Sequence, residues 1–197
     1  MTKVKICGLF RNEDIEYVNI CKPDFAGFII DFAKSHRSID VQTANKLIAK
    51  LDKDIKSVCV FVDAPIEKVL ECARFADCVQ LHGTENADYI AAIRQKSPGT
   101  KIFKAYTVRS AEDIAIAKKS NADIVLLDNG YGTGNQFDWA LVTDLGRDFF
   151  LAGGINSTNV IEAIEKFNPY GIDVSSSVET EKVKDFEKIK QIMEVLK

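Results

Sequence analysis

Cys7 closes the short apolar run "VKIC" and passes directly into Gly8. Asp128 closes "DIVLLD", where a carboxylate is costly unless it is paired or stands at the mouth of a fold. A thiol in such a place is a small core residue, a base, a nucleophile or a metal ligand, and the aspartate is equally a helix cap. His82, in "VQLHG", stands at the end of another run, as a satisfied strand-end histidine or as a substrate contact. Arg37, in "KSHRSI", is a solvated cation in isolation and an anion clamp if a phosphorylated acidic ligand lies nearby. Gly153 and Gly154 in "AGGIN", with Ser175 and Ser176 in "VSSSVE", offer flexible backbone N–H groups and small hydroxyls suited to a phosphate. A tight turn and a serine helix cap are the plainer readings of those two stretches.

Such residues act together only if the chain brings its run endings to one place. An extended apolar run followed by an amphipathic stretch recurs along the sequence, with runs ending near Cys7, Asp31, Val62, His82, Thr107, Asp128, Gly154 and Ser176. The runs read as apolar on both faces, the pattern of parallel strands covered by helices. Pro65 and Ser157 mark starts of two of the intervening helices, and "DWALVTDL" is the shortest of them. No Ser/Gly-rich or Pro-rich linker interrupts the 197 residues, so a single domain over 1–197 is expected. Strand-helix units repeated in this way predict the α/β class and a closed (βα)8 TIM barrel, in which strand ends and the loops after them share one mouth. An open doubly wound sheet would place a glycine-rich phosphate turn after the first strand, where this chain reads "CGLFRN".

Composition narrows the partners. With 46% apolar and 28% charged residues the chain is globular, and a net charge of −3 with scattered lysines gives no basic stripe for nucleic acid. No segment approaches the roughly 20 apolar residues that span a bilayer, so no membrane partner and a cytoplasmic location are expected. Five cysteines without a C-x-x-C pair fit reduced thiols, with Cys21, Cys59, Cys72 and Cys78 in packing roles and no metal site. "NGYGTGNQFDW" superficially looks like a dinucleotide fingerprint, yet lacks its last glycine; a mobile loop over the mouth, with Trp139 anchoring the helix that follows, is expected instead.

In their order and spacing, "KICGL", "VQLHG", "LLD" followed by "GYGTGNQFDW", "LAGGI" and "GIDVSSSVE" resemble the phosphoribosylanthranilate isomerase family of tryptophan biosynthesis, from the first strand to the last helix. The resemblance implies an Amadori rearrangement of N-(5-phosphoribosyl)anthranilate to 1-(2-carboxyphenylamino)-1-deoxyribulose 5-phosphate, with no cofactor. It implies Cys7 as base, Asp128 as acid, Arg37 on the anthranilate side, His82 as a substrate contact, and Gly153, Gly154, Ser175 and Ser176 at the phosphate. The residue types suit these roles. A carboxyl group with a raised pKa delivers a proton to the furanose oxygen, and a thiolate supported by a nearby cation or helix amino end removes the C2′ proton. The implied partner is the phosphorylated anthranilate-ribose substrate, with the protein a monomer or weak homodimer.

Two positions depart from the family pattern: His36 within "KSHR", and Ser177 in "DVSSSVE" where a glycine is usual. Three rivals make different demands. Indole-glycerol-phosphate synthase relies on catalytic lysine and glutamate at strand ends. A thiol hydrolase needs Cys7 and His82 within hydrogen-bond reach. A catalytically silent phosphosugar-binding barrel has no need to keep Cys7, Asp128 and Arg37 together.

Overall fold

Alternation of side chains along an extended run gives each strand one inward and one outward face. In the computed structural model, which describes residues 2–128, 139–142 and 145–196, the runs become eight barrel strands. They are β1 (Lys3–Cys7), β2 (Phe25–Ile30), β3 (Lys56–Phe61), β4 (Cys78–Leu81), β5 (Lys101–Thr107), β6 (Ile124–Asp128), β7 (Phe149–Leu151) and β8 (Gly171–Val174). All neighbours pair in parallel, and β1 pairs with both β2 and β8, so the sheet closes on itself as the expected barrel. Ser38–Ile39 adds a short parallel rung beside β2.

The covering helices are α1 (Asn12–Cys21), α2 (Val41–Ile48), α3 (Ile66–Cys72), α4 (Ala87–Lys96), α5 (Ala111–Lys118), α6 (Val160–Phe167) and α7 (Phe186–Val195). Side-chain caps start several of them: Asp40 accepts from the Thr43 N–H and Asn86 from the Tyr89 N–H. Helix α6 begins after Asn159 rather than Ser157, and no side chain caps it there. Where "DWALVTDL" predicted a short α-helix, the described residues form a 3-10 turn, Trp139–Leu141. Trp139 is buried there, edge-on to Phe167 of α6 with ring centroids 5.5 Å apart. The glycine-rich loop expected over the mouth falls on 129–138, outside the described residues. Among the described residues no helix is long and apolar enough to cross a membrane.

Two apolar layers hold the barrel. Outward residues such as Ile6, Phe28, Val79 and Leu127 pack against helix residues such as Val18, Leu47, Val69 and Ile189. Inside, Phe25, Phe103 and Phe150 meet with centroids 5.4 to 5.6 Å apart and fill the end near the strand starts. Gly171, the first residue of β8, makes room for this plug, because a Cβ there would stand 2.3 Å from Phe150 Cε1.

The expectation of strands apolar on both faces needs correction. Inward positions also hold Lys5, Gln80 and Asp173, all buried. A buried charge is costly unless it is paired, and Lys5 and Asp173, register partners on β1 and β8, neutralise each other. Strands β7 and β8 also end earlier than expected. Gly153 and Gly154 take φ of 76° and 78°, outside strand geometry, and a 3-10 turn over Ser176–Val178 follows Ser175.

Candidate active site

The carboxyl-terminal strand ends open into a cavity of about 540 Å³. Cys7, Asp128, Arg37 and His82 line it, as do Gly153, Gly154, Ser175 and Ser176, so the fold brings all eight sequence candidates to one mouth. Asp31 and Asp63, also at run endings, are engaged in loop structure: Asp31 pairs with Lys68, and Asp63 accepts from the Thr84 N–H and hydroxyl.

Cys7 ends β1 with its side chain inward and only 7% exposed. Two residues earlier on the same face, the fully buried Lys5 ammonium lies 3.0 Å from each carboxylate oxygen of Asp173. A Cβ on Gly27 of β2 would stand 2.7 Å from Cys7 Sγ and 3.1 Å from Lys5 Nζ, so the thiol and the ammonium share the hollow this glycine leaves. Burial pushes the Cys7 thiol up; Lys5 pulls it down by charge and hydrogen bonding, Asp173 adds to the rise, and Lys184 opposes it, leaving the thiol above its ordinary value. Burial would lower the Lys5 ammonium, but Asp173 and Cys7 together hold it above its ordinary value.

Across the mouth, His82 Nε2 lies 3.1 Å from Asp128 Oδ2, and its Nδ1 lies 3.4 Å from Gln80 Nε2. Both ring nitrogens are therefore directed at β4 and β6 partners, an arrangement that orients the Asp128 carboxyl group and does not serve Cys7. Asp173 feels this group too, since Asp128 reinforces the rise that burial imposes on the Asp173 carboxyl and Lys5 opposes.

Arg37 reaches the cavity from the loop after β2, held by Glu179. Its Nε and Nη2 donate to the two Glu179 oxygens at 2.6 and 2.7 Å, a bidentate pair. Lys184 donates to the same carboxylate at 2.5 Å and to the Ser175 carbonyl at 3.1 Å. Burial works against Glu179, but the two cations outweigh it and hold the carboxyl below its usual range. His36, the departure in "KSHR", sends Nε2 to within 3.1 Å of the Lys182 carbonyl and so docks the same loop on the segment after β8.

At the glycine-serine end, the Gly154 carbonyl accepts from the side-chain amides of Asn156 and Asn159, which fix the turn. The Ser175 hydroxyl donates to the Cys7 carbonyl at 3.0 Å and ties β8 to β1. Ser177 sits inside the right-handed turn Ser176–Val178, which a serine enters without the strain that a positive φ would bring. Among the described residues no group of three or more His, Cys, Asp or Glu side chains is placed to hold a metal ion.

Lys5, Asp173, Glu179, Lys184 and Gln80 escaped the reading of the sequence. Lys5 carried a usable signal, since it precedes Cys7 by two positions and so shares its face. Asp173 stands in the same relation to Ser175.

Comparison with known proteins bears on what such a mouth does. A family profile described as N-(5'phosphoribosyl)anthranilate (PRA) isomerase matches residues 4–195. The N-(5'-phosphoribosyl)anthranilate isomerase of Thermoanaerobacter sp. (strain X514) is 45% identical over 203 residues, covering 98% of this chain and 97% of that relative. The crystal structure of phosphoribosyl anthranilate isomerase from Thermus thermophilus superposes with a TM-score of 0.90 at 29% identity, covering 99% of this chain and 98% of that one. A phosphoribosyl anthranilate isomerase in complex with reduced 1-(o-carboxyphenylamino)-1-deoxyribulose 5-phosphate superposes with a TM-score of 0.87 at 32% identity, covering 98% and 97% of the two chains.

Proposed function

The chain belongs to the N-(5'-phosphoribosyl)anthranilate isomerase family, and from that premise we propose that Cys7 and Asp128 are the base and acid of its reaction. The activity is the aldose-to-ketose isomerisation of N-(5-phosphoribosyl)anthranilate in tryptophan biosynthesis. The observation that carries the assignment is one of placement. A thiol on β1 and a carboxyl group on β6, 7% and 6% exposed, face a single cavity that the Arg37 guanidinium and the glycine-serine loops also line.

Asp128, oriented by His82, donates a proton to the furanose ring oxygen. The C1′–O bond breaks, and the anilino nitrogen supplies the electrons of a C=N bond, giving the open Schiff base. The positive nitrogen acidifies the C2′ proton, and the Cys7 thiolate removes it. The C2′–H electrons become the C1′=C2′ bond and neutralise the nitrogen, and the resulting enolamine tautomerises to the ketone. Glu179 takes the Nε and Nη2 donors of Arg37 and holds the guanidinium in the cavity lining, where it suits the anthranilate carboxylate. The Gly153–Gly154 turn and the start of the Ser176–Val178 turn supply backbone N–H groups for the phosphate. Ser175 contributes there through its main chain, because its hydroxyl is committed to Cys7.

The test uses purified protein, freshly generated phosphoribosylanthranilate and conditions that keep the thiol reduced. Cys7→Ser and Asp128→Asn are each expected to lower kcat by about a hundredfold or more with a much smaller change in KM. Near-normal turnover in either variant removes that residue from its role.

A further inference from the structure

We propose that Lys5, clamped by Asp173, is the counter-ion that positions and holds the Cys7 thiolate for proton abstraction. The inference rests on Cys7 being the base and adds what makes a buried thiol serve as one. An anion 7% exposed at the end of a barrel strand has little water to stabilise it, so a fixed positive charge must stand close. Three cations face the thiol. Arg37 is engaged edge-on by Glu179, and Lys184 by Glu179 and the Ser175 carbonyl, and burial leaves the Lys184 ammonium below its ordinary value. Lys5 alone shares a hollow with Sγ, over Gly27.

Asp173 has two effects. Its carboxylate, 3.0 Å from Nζ through both oxygens, keeps Lys5 an ammonium inside the barrel and fixes where it points. Its negative charge also faces Cys7 and opposes the thiolate, more weakly than Lys5 favours it. Asp128 and His82, at the ends of β6 and β4, are the other titratable groups that face Asp173. Lys5 already carries its proton, so the thiol's proton leaves to water at the mouth. What Lys5 supplies is a lower free energy for the charge left on sulfur.

The experiment reads thiolate formation directly, as the pH dependence of Cys7 alkylation by iodoacetamide, with Cys7→Ala protein as the blank for the other cysteines. Lys5→Met is expected to move the alkylation midpoint upward, slowing the reaction at a fixed neutral pH by about tenfold or more. The acidic limb of kcat/KM should move the same way, and Lys5→Arg should recover part of both. Lys5→Met leaves Asp173 buried and unpaired, so Lys5→Met/Asp173→Asn removes both charges at once. The upward move should persist there, because it is the Lys5 ammonium that shares the hollow over Gly27 with Sγ. A folded double variant with the wild-type alkylation midpoint overturns the proposal. The base assignment fails separately, if Cys7→Ser keeps its turnover while the Lys5 variants still shift the midpoint.

Discussion

Glu179 is the residue on which the rim of the mouth depends, since one carboxylate binds Arg37 by two hydrogen bonds and Lys184 by a third. Removing its charge leaves Lys184, whose side chain is fully buried, without its counter-ion, a change that costs about 3 to 5 kcal/mol when a buried pair is broken. The pH dependence follows from sign. The native carboxyl titrates below its unfolded value, so its stabilisation is complete above the unfolded pKa of about 4.3 and is lost as pH falls through the lower native value. Glu179→Gln should therefore be markedly less stable than wild type in urea melts at neutral pH, with the gap closing as the pH is taken well below 4. A gap of constant size across that range would show that the charge is not what Glu179 contributes. The sequence hid this residue for a physical reason. No local pattern in "VSSSVE" marks it, because the partner that engages it, Arg37, lies 142 residues away.

At the scale of elements, the strands were legible because their apolar period survives in every run, and their order alone fixed that Cys7, His82 and Asp128 would share a mouth. Which face each residue takes was less legible. "VKIC" and "GIDV" each carry one charged residue in a short apolar run, and only strand parity puts Lys5 on the face of Cys7 and Asp173 on that of Ser175, in a pair that spans 168 residues. The Trp139 segment shows the opposite failure: its pattern promised a helix, and the described residues hold one 3-10 turn docked by the indole on Phe167. Parity also makes Gly27 informative, because β2 passes directly under the thiol. A methyl group there would stand 2.7 Å from Cys7 Sγ and 3.1 Å from Cys7 Cα, closer than atoms pack, so the β1 end must shift. Gly27→Ala should fold, yet lose kcat and change the Cys7 alkylation rate while KM moves little. Wild-type values for both would mean that the hollow over Gly27 does not set the position of the thiol.

Over the whole molecule, the barrel separates what holds it together from what it does. The first strand closes on the last through four register pairs, so the ends of the chain meet in one cooperative wall. Along the barrel axis, the aromatic plug of Phe25, Phe103 and Phe150 lies toward the strand starts, and the cavity lies at the strand ends. Phe150 is fully buried and touches both other rings and Tyr170, so truncating it removes a large apolar side chain and leaves a cavity that close-packed neighbours refill only in part. Phe150→Ala should lower unfolding free energy by about 3 to 5 kcal/mol in urea. In the absence of denaturant the folded variant should keep its kcat and KM, because no ring of the plug lines the mouth. Lys5, two residues before Cys7 on the same face and the register partner of Phe25, joins the two ends, and its variants are expected to change the thiol as well as stability. If Phe150→Ala lost turnover in proportion to its lost stability while fully folded, the two ends would be mechanically coupled, and the division of labour along the axis would have to be given up.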